Sequence, residues 1–195
     1  MESLSIITPF KEKSNIKLIE TISCLYKQNI DIKIYHLILY DLSCSNILQL
    51  EEIFPPKENY FLRFISIKKK GIYCAINKGL DTIKKESYYI VIGAGDLIFL
   101  ENSKKINIDK ILMCRYKLSV ENYKTNRLRN IYTGMPYCHN AIIFKKNDLK
   151  YSTNYKISSD YHYFIKYIEN SKINIENDIP KNSGLEVTFE AKNGI

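Results

Sequence analysis

The sequence predicts an α/β domain with a mostly parallel central sheet flanked by helices. Two observations lead to this fold class. Short apolar runs rich in β-branched residues alternate with amphipathic segments through the first half of the chain. Each run ends at a proline, a glycine turn or a polar turn, as strands usually do. Strand–helix alternation of this kind favours parallel strands joined by helices that pack on the sheet.

The first predicted strand covers residues 3–8 and ends at Pro9. Ser14 or Asn15 can cap the helix that follows. Apolar residues on that helix recur at the spacing of one buried face, and they are Leu18, Ile19, Ile22, Leu25 and Tyr26. This segment therefore predicts an amphipathic helix packed on the sheet.

The rest of the first half continues the alternation. The predicted elements are a strand at 34–40, a helix at 47–54, a strand at 61–67, a helix at 75–85 and a strand at 88–92. Asp41 closes the second strand, Pro55 and Pro56 break the helix after it, and Gly71 opens the turn into the third helix. The fourth strand ends in the turn GAGD, residues 93–96.

The second half of the chain is less regular. It predicts strands at 111–116 and 141–144, a helix at 159–170 and one further strand at 185–189. The helix should face the core with Tyr161, Phe164, Ile165 and Ile168. The 195 residues suffice for one sizeable core, so we expect a single domain over residues 1–195.

Composition narrows the class of protein. Hydrophobic residues make up 45% and charged residues 26%, as in ordinary globular domains. No apolar run reaches the length of about 18 residues that a membrane span needs, and the start lacks the features of a signal peptide. The five cysteines are odd in number and widely spaced, without a C-x-x-C pair. A disulfide framework or zinc site is therefore not expected, and a reducing cytoplasm fits best.

The net charge of +8 has several explanations. A basic surface can attract nucleic acid, an anionic membrane or phosphorylated ligands, and it can also serve solubility alone. The lysines are concentrated at residues 68–70 and at 145–146. A nucleic-acid-binding domain is disfavoured, because the sixteen tyrosines and the lysines form no recognised module or aromatic-basic stripe.

Polar residues or turns follow three of the predicted strands. They are Pro9 with Phe10, Asp41, and Asp96. Open α/β sheets bind ligands at the carboxyl ends of their strands, so the coincidence indicates a site there. Helices covering a sheet without any ligand would also be compatible with this pattern.

Asp96 could hold a hard divalent cation that also binds phosphate oxygens. Gly93 and Gly95 beside it would let the backbone approach a ligand closely. A surface turn with an aspartate after glycine is the alternative. Asp41 could bond a ligand's N–H or ribose hydroxyl, or it could cap the next helix through an Asx turn.

The other candidate residues lie further along the chain. The segment GIYCAINKGL, residues 71–80, places Gly71 at the head of a helix that carries Asn77, and helix N-termini favour phosphate. Asp160 could act as a general base at a rigid helix start, or it could simply stabilise the first turn of that helix. His139 has no histidine partner four residues away, so it is not a zinc motif and could be structural.

Taken in chain order, these segments resemble glycosyltransferase family 2. The segments are SIITPF, DLSCSN, LRFISIKKKGIYCAINKGL, VIGAGDLIF, MPYCHNAIIFKK and YKISSDYHYF. The likeness covers roughly residues 3–170 and is strongest to bacterial exopolysaccharide, colanic-acid-like and lipopolysaccharide enzymes. It implies the GT-A fold, with a nucleotide-binding half at 1–100 and an acceptor and catalytic half at 101–195.

The resemblance also implies roles for individual residues. Asp96 would hold Mn²⁺ or Mg²⁺ on the diphosphate of a nucleotide sugar, and Asp160 would be the catalytic base. The residues implied to contact the nucleotide sugar are Thr8, Pro9, Phe10, Asp41, Gly71, Asn77, Gly95 and His139. The implied reaction is inverting transfer from a UDP-linked or related donor to a hydroxyl of a bacterial surface glycan.

The implied acceptor is a glycan, free or lipid-linked, at the inner face of the plasma membrane, where a basic face would be attracted to anionic lipid. The chain departs from the family pattern where acids or amides are expected, at Asn46, Lys69, Cys74, Gly93 and His162. These departures leave a second hypothesis, a catalytically degenerate domain that binds nucleotide or a partner without turnover.

Overall fold

The computed structural model describes residues 2–11, 15–42, 44, 47–68, 71–100, 111–113, 116–118, 138–173 and 187–191. Its core contains four parallel strands, β1 (Ser3–Phe10), β2 (Lys33–Asp41), β3 (Tyr60–Ile67) and β4 (Tyr88–Val91). They lie side by side in the order β3-β2-β1-β4. The predicted parallel arrangement is confirmed.

Helical segments connect the four parallel strands. They are α1 (Ile16–Lys27), a 3₁₀ turn (Ile47–Gln49) that continues into α2 (Leu50–Ile53), and α3 (Ile72–Thr82). Asn15 is the cap residue of α1, but its side chain makes no capping hydrogen bond, and Ser14 lies outside the described residues. Helix α3 begins earlier than predicted, directly after Gly71, whose φ of 116° suits glycine.

The other described strands pair in antiparallel fashion, except that β7 (Tyr116–Leu118) runs parallel to β9 (Val187–Ala191). β8 (Ile142–Lys145) pairs with β4, and β6 (Ile111–Met113) pairs with β8, which gives a six-stranded sheet. A second sheet has the order β5-β9-β7, formed by β5 (Asp96–Leu100), β9 (Val187–Ala191) and β7 (Tyr116–Leu118). The single strand expected at 111–116 is therefore two strands in different sheets. The strand expected at 185–189 corresponds to β9.

Strand β1 continues through Pro9, where the sequence predicted its end. The carbonyl of Ile7 faces β4, since it accepts a hydrogen bond of 3.0 Å from the Ile92 N–H. Two residues later the nitrogen of Pro9 faces the same side, beyond the last residue of β4. Proline therefore costs the sheet no ladder hydrogen bond at this position.

Both faces of the sheet are buried. Leu4 and Ile6 of β1 pack with α1 on one face, and Ile7 packs with α3 and α4 (Ser159–Ser171) on the other. Burial on both faces explains why residues 4–8 of β1 and 36–39 of β2 are buried without interruption rather than in alternation.

The buried face of helix α4 matches the predicted one only in part. Phe164 and Ile168 are inside as expected, whereas Tyr161 and Ile165 are half-buried and Tyr163 and Tyr167 are in the core. The hydroxyl of Tyr163 accepts a hydrogen bond of 2.6 Å from Tyr89, and that of Tyr167 donates to a backbone carbonyl at 2.8 Å. Tyrosine can be buried when its hydroxyl has such a partner, which periodicity alone does not show.

One histidine lies within the sheet. His36 of β2 has no exposed surface; its Nε2 is 2.9 Å from the Thr8 hydroxyl and its Nδ1 is 2.6 Å from the Tyr60 hydroxyl. The three side chains link β1, β2 and β3. Burial lowers the pKa of His36 to about 3, so the ring is neutral in the folded protein.

We expect His36 to make the fold sensitive to acid. Below about pH 6.5 the unfolded chain binds a proton at His36 that the folded chain does not, so the free energy of unfolding falls by about 1.4 kcal/mol per pH unit. The stability advantage of wild type over His36→Leu should therefore shrink by about 2 kcal/mol between pH 7 and pH 5. Urea denaturation of both proteins checks this, and parallel pH profiles would contradict it.

Candidate active site

Three carboxylates are brought to the carboxyl edge of the parallel sheet. Asp41 is the last residue of β2, and Asp96 follows β4 at the start of β5. Asp160 is in the first turn of α4. The hydroxyl of Tyr73, at the start of α3, faces the backbone N–H groups of Ser159 and Asp160 in that turn. Distant parts of the sequence thus meet at one edge, where α/β sheets bind ligands.

The turn before Asp96 is fixed to helix α1. Gly95 has a φ of 97°, which favours glycine, and its N–H donates to the Thr21 hydroxyl at 2.8 Å. Thr21 in turn donates to the backbone carbonyl of Asp96 at 2.9 Å. Gln28, the residue that caps the C-terminus of α1, donates to the Ile98 carbonyl at 2.7 Å and accepts from the Leu100 N–H at 2.8 Å. Helix α1 therefore positions both the turn and β5.

The Asp96 carboxylate is partly buried and held by two neutral donors. Its Oδ2 accepts from the Gly93 N–H at 2.5 Å and from the Asn140 side-chain amide at 3.1 Å. Burial raises the pKa of Asp96 to about 6, and the two hydrogen bonds act in the opposite direction. A Cβ at position 93 would lie 2.9 Å from Oδ2, so only glycine allows this approach.

His139 lies between Asn140 and the base candidate. Its Nε2 is 2.7 Å from the Tyr151 hydroxyl, and its ring lies beside the Asn140 side chain. Burial lowers the pKa of His139, while the nearby charge of Asp160 opposes that shift. The predicted residues Asp96, His139 and Asp160 are therefore connected in space through Asn140, which sequence reasoning had not singled out.

Two of the residues expected to contact the nucleotide sugar are in the core. Thr8 has no exposed surface and its hydroxyl bonds His36, so a contact of Thr8 with a nucleotide sugar stays a prediction. Phe10 is also buried, in the apolar cluster on the α1 face, while Pro9 is half-buried. A ligand could reach Pro9 but not Thr8 in this conformation.

Asn77 docks a loop onto α3. Its amide donates to the carbonyl of Tyr151 and accepts from the N–H of the same residue, each at 2.8 Å. These bonds use both ends of the side chain, so Asn77 acts here by holding the Tyr151 backbone. Gly71 lies exposed at the start of the same helix. A donor contact by either residue stays a prediction.

The environment of Asp41 leaves both earlier interpretations open. The residue is half-buried, and its backbone carbonyl accepts a hydrogen bond of 2.9 Å from the Cys44 N–H. Asn46 and Lys69, two of the positions that depart from the family pattern, lie outside the described residues. His162 is described, and its ring packs 5.1 Å from that of Tyr155.

The donor set at Asp96 fits a divalent cation that is held mainly by a substrate. Among the described residues no group of three or more metal-ligating side chains occurs. One carboxylate with phosphate oxygens and water is nevertheless a common way to bind Mg²⁺. Both protein hydrogen bonds to this carboxylate use Oδ2, and neither donor carries a charge, so a cation at Oδ1 would offset the cost of burial.

A separate pocket of about 470 Å³ lies against α3. It is lined by the end of β3 and by Cys74, Asn77, Lys78, Asp81 and Thr153, among others. None of the three edge carboxylates lines it, so we do not assign the pocket to the candidate site.

Solved glycosyltransferases share this fold. Residues 1–349 of TarS from S. aureus, in complex with UDP, superpose with a TM-score of 0.72 at 18% identity, covering 98% of this chain and 61% of that one. The same TarS fragment with UDP-GlcNAc gives a TM-score of 0.71 at 17% identity, covering 99% and 59%. The mannosyltransferase PcManGT from Pyrobaculum calidifontis, with GDP-Man and Mn²⁺, gives 0.61 at 12% identity, covering 95% and 56%.

These similarities confirm the predicted fold class, an α/β GT-A fold, and at such low identities they show the fold alone. The chain spans about three fifths of the length of the TarS fragment. No protein-family model and no curated protein matches the sequence. In the part of the chain that the structure describes, no helix is long and apolar enough to cross a membrane.

We expect Asp96 to reduce stability when its site is empty. The unfolded carboxyl titrates near pH 4 and the folded one near 6, so above pH 6 the folded state carries a penalty of up to about 3 kcal/mol. Asp96→Asn should therefore stabilise the protein at pH 8 and have little effect near pH 4. Urea denaturation in the presence of EDTA measures this difference. The exposed residue Asp148, replaced by Asn, is the control, and an equal gain there would contradict the prediction.

Proposed function

We propose that the chain transfers a sugar, with inversion, from a nucleotide-diphosphate sugar to an acceptor hydroxyl. The observation that carries this proposal is that Asp96, which suits a cation on a diphosphate, bonds Asn140, and that the adjacent His139 lies near Asp160, which suits a base. The GT-A fold supports it, since the solved proteins with this fold were captured with UDP, UDP-GlcNAc or GDP-Man. We favour a UDP-linked donor, based on the family resemblance.

Asp160 is the proposed base. Its Oδ1 accepts the Tyr161 N–H at 2.9 Å, which fixes the side chain at the helix start and leaves Oδ2 for an acceptor hydroxyl. The acceptor oxygen would attack the anomeric carbon, the bond from that carbon to the diphosphate oxygen would break, and the hydroxyl proton would pass to Asp160. A single attack from the face opposite the leaving group inverts the configuration.

Asp96 is the proposed anchor of the leaving group. A Mn²⁺ or Mg²⁺ ion bound there would neutralise the charge that develops on the departing nucleoside diphosphate. The chain's own contribution is to hold the carboxylate through Gly93 and Asn140, and to fix the turn through Thr21. Asp41, at the end of β2, is the proposed contact to the base or ribose, and Pro9, near the end of the neighbouring strand β1, is a second proposed contact.

A catalytically degenerate domain is the second candidate. It is favoured by Gly93, which has no side chain to offer a ligand where the resembling family has an asparagine. Such a domain would bind the nucleotide but not turn over. Sugar transfer that is detectable in wild type and lost in Asp160→Asn would exclude it, whereas nucleotide binding without transfer by either protein would favour it.

The first experiment is a thermal-shift titration with UDP, GDP and CDP, each with and without Mn²⁺. A ligand at 100 times its Kd should stabilise the fold by about 2.7 kcal/mol. We expect a Mn²⁺-dependent shift with one nucleotide, UDP by preference, that is absent in Asp96→Asn because the cation loses its carboxylate. A shift that is independent of Mn²⁺, or the same in both proteins, would contradict the role of Asp96.

The acceptor and the location are also proposals. We propose a bacterial surface glycan as acceptor, held near the inner face of the plasma membrane, with the net charge of +8 attracting the protein to anionic lipid. Sedimentation with anionic vesicles checks the membrane contact. Binding at low salt that disappears in high salt is expected, and affinity retained in high salt would contradict a purely electrostatic contact.

A further inference from the structure

Asn140 contacts both halves of the candidate site. Its amide nitrogen donates to Asp96 Oδ2 at 3.1 Å, and its side chain lies beside the ring of His139, the residue before it. His139 lies within the electrostatic influence of Asp160. A single side chain thus lies between the carboxylate proposed for the metal and the histidine near the proposed base.

The contacts that join Asp96, Asn140, His139 and Tyr151 suggest hydrogen bonds that all donate in the same direction. Because the amide nitrogen of Asn140 donates to Asp96, its oxygen is left to accept from the ring of His139. Nε2 of that ring is 2.7 Å from the Tyr151 hydroxyl, so Nδ1 is the nitrogen that faces Asn140. This arrangement assigns the ring proton of His139 to Nδ1, with Nε2 as the acceptor for the Tyr151 hydroxyl.

Tyr151, the last residue of this series of contacts, is held in the core. The ring of Tyr151 stacks on that of Tyr163 with a centroid distance of 4.0 Å, and its backbone is held by Asn77 on both sides. The ring of His139 packs edge-on against Tyr151 at 5.6 Å. The core thus holds Tyr151, the first member of the series that continues through His139 and Asn140 to Asp96.

We propose that Asn140 is a positioning residue that orients the Asp96 carboxylate and fixes the tautomer of His139, thereby holding the metal side and the acceptor side of the site in register. The proposal rests on the function proposed above. Outer groups that orient metal ligands commonly contribute about 10- to 100-fold to metal affinity or activity. An amide suits this position because it donates at one end and accepts at the other, which neither a carboxylate nor an apolar side chain does.

Two variants separate the two ends of the amide. Asn140→Leu has a similar volume and removes both hydrogen bonds, so we expect mixed tautomers at His139 and a Mn²⁺-assisted UDP affinity lower by about 10- to 100-fold. Asn140→Asp keeps an acceptor for His139 but loses the donor to Asp96. It should therefore retain the Nδ1–H tautomer while losing the Mn²⁺-assisted affinity of wild type.

The tautomer is read by ¹⁵N NMR of the histidine rings in the free protein, and the affinity by titration with UDP and Mn²⁺. Asn59→Leu is the matched control, since Asn59 is a half-buried asparagine that donates to the Ile30 carbonyl at 3.1 Å, near the other edge of the sheet. It should leave both readouts at the wild-type value even if stability falls.

The two proposals fail in different ways. A wild-type His139 protonated on Nε2, or a tautomer unchanged in Asn140→Leu, would overturn the role of Asn140 even if sugar transfer is intact. A Mn²⁺-assisted affinity that is unchanged in Asn140→Leu would overturn it as well. Absence of UDP binding in wild type would overturn the proposed function, and the tautomers would still decide whether Asn140 holds His139.

Discussion

Burial of the central sheet on both faces is the constraint on which the rest of the molecule depends. With α1 on one side and α3 and α4 on the other, the inward-facing strand positions favour apolar side chains. A polar side chain is tolerated there when it has a hydrogen-bond partner. Thr8, His36 and Tyr60 meet that condition inside the sheet. Other polar groups are displaced to the strand ends, and in a parallel arrangement those ends share one edge.

At that edge the protein retains a carboxylate in an unfavourable setting. Asp96 is partly buried, and the two groups that bond it, the Gly93 N–H and the Asn140 amide, are neutral. The charged form is destabilised in the absence of a cation, which is why its pKa lies near 6. A site built in this way favours a positively charged ligand before any specific recognition, because the ligand relieves a penalty already present in the fold.

The sequence was sufficient for the architecture and for the acidic residues, but not for the contacts that place them. The alternation of apolar runs predicted the parallel sheet, and Asp96 and Asp160 were evident as acids at a strand end and a helix start. The core position of Thr8 was not evident, because a strand residue next to the edge can still face the core, and its hydrogen-bond partner is on the next strand. Thr21 and Asn140 were missed because their bonds join residues far apart in sequence, where no local pattern exists.

The attachment of α1 to β5 has a consequence for how the chain tolerates change. Thr21 bonds the backbone of Asp96, and Gln28 makes the hydrogen bonds to Ile98 and Leu100 that a neighbouring strand would otherwise make. Helix α1 and strand β5 are therefore joined at two points. The position of Asp96 is therefore set by Thr21, in the middle of α1, rather than by the connection that precedes the helix. Insertions or deletions between β1 and α1 are therefore expected to leave Asp96 in place, because the bonds from α1 hold it whatever the length of that connection.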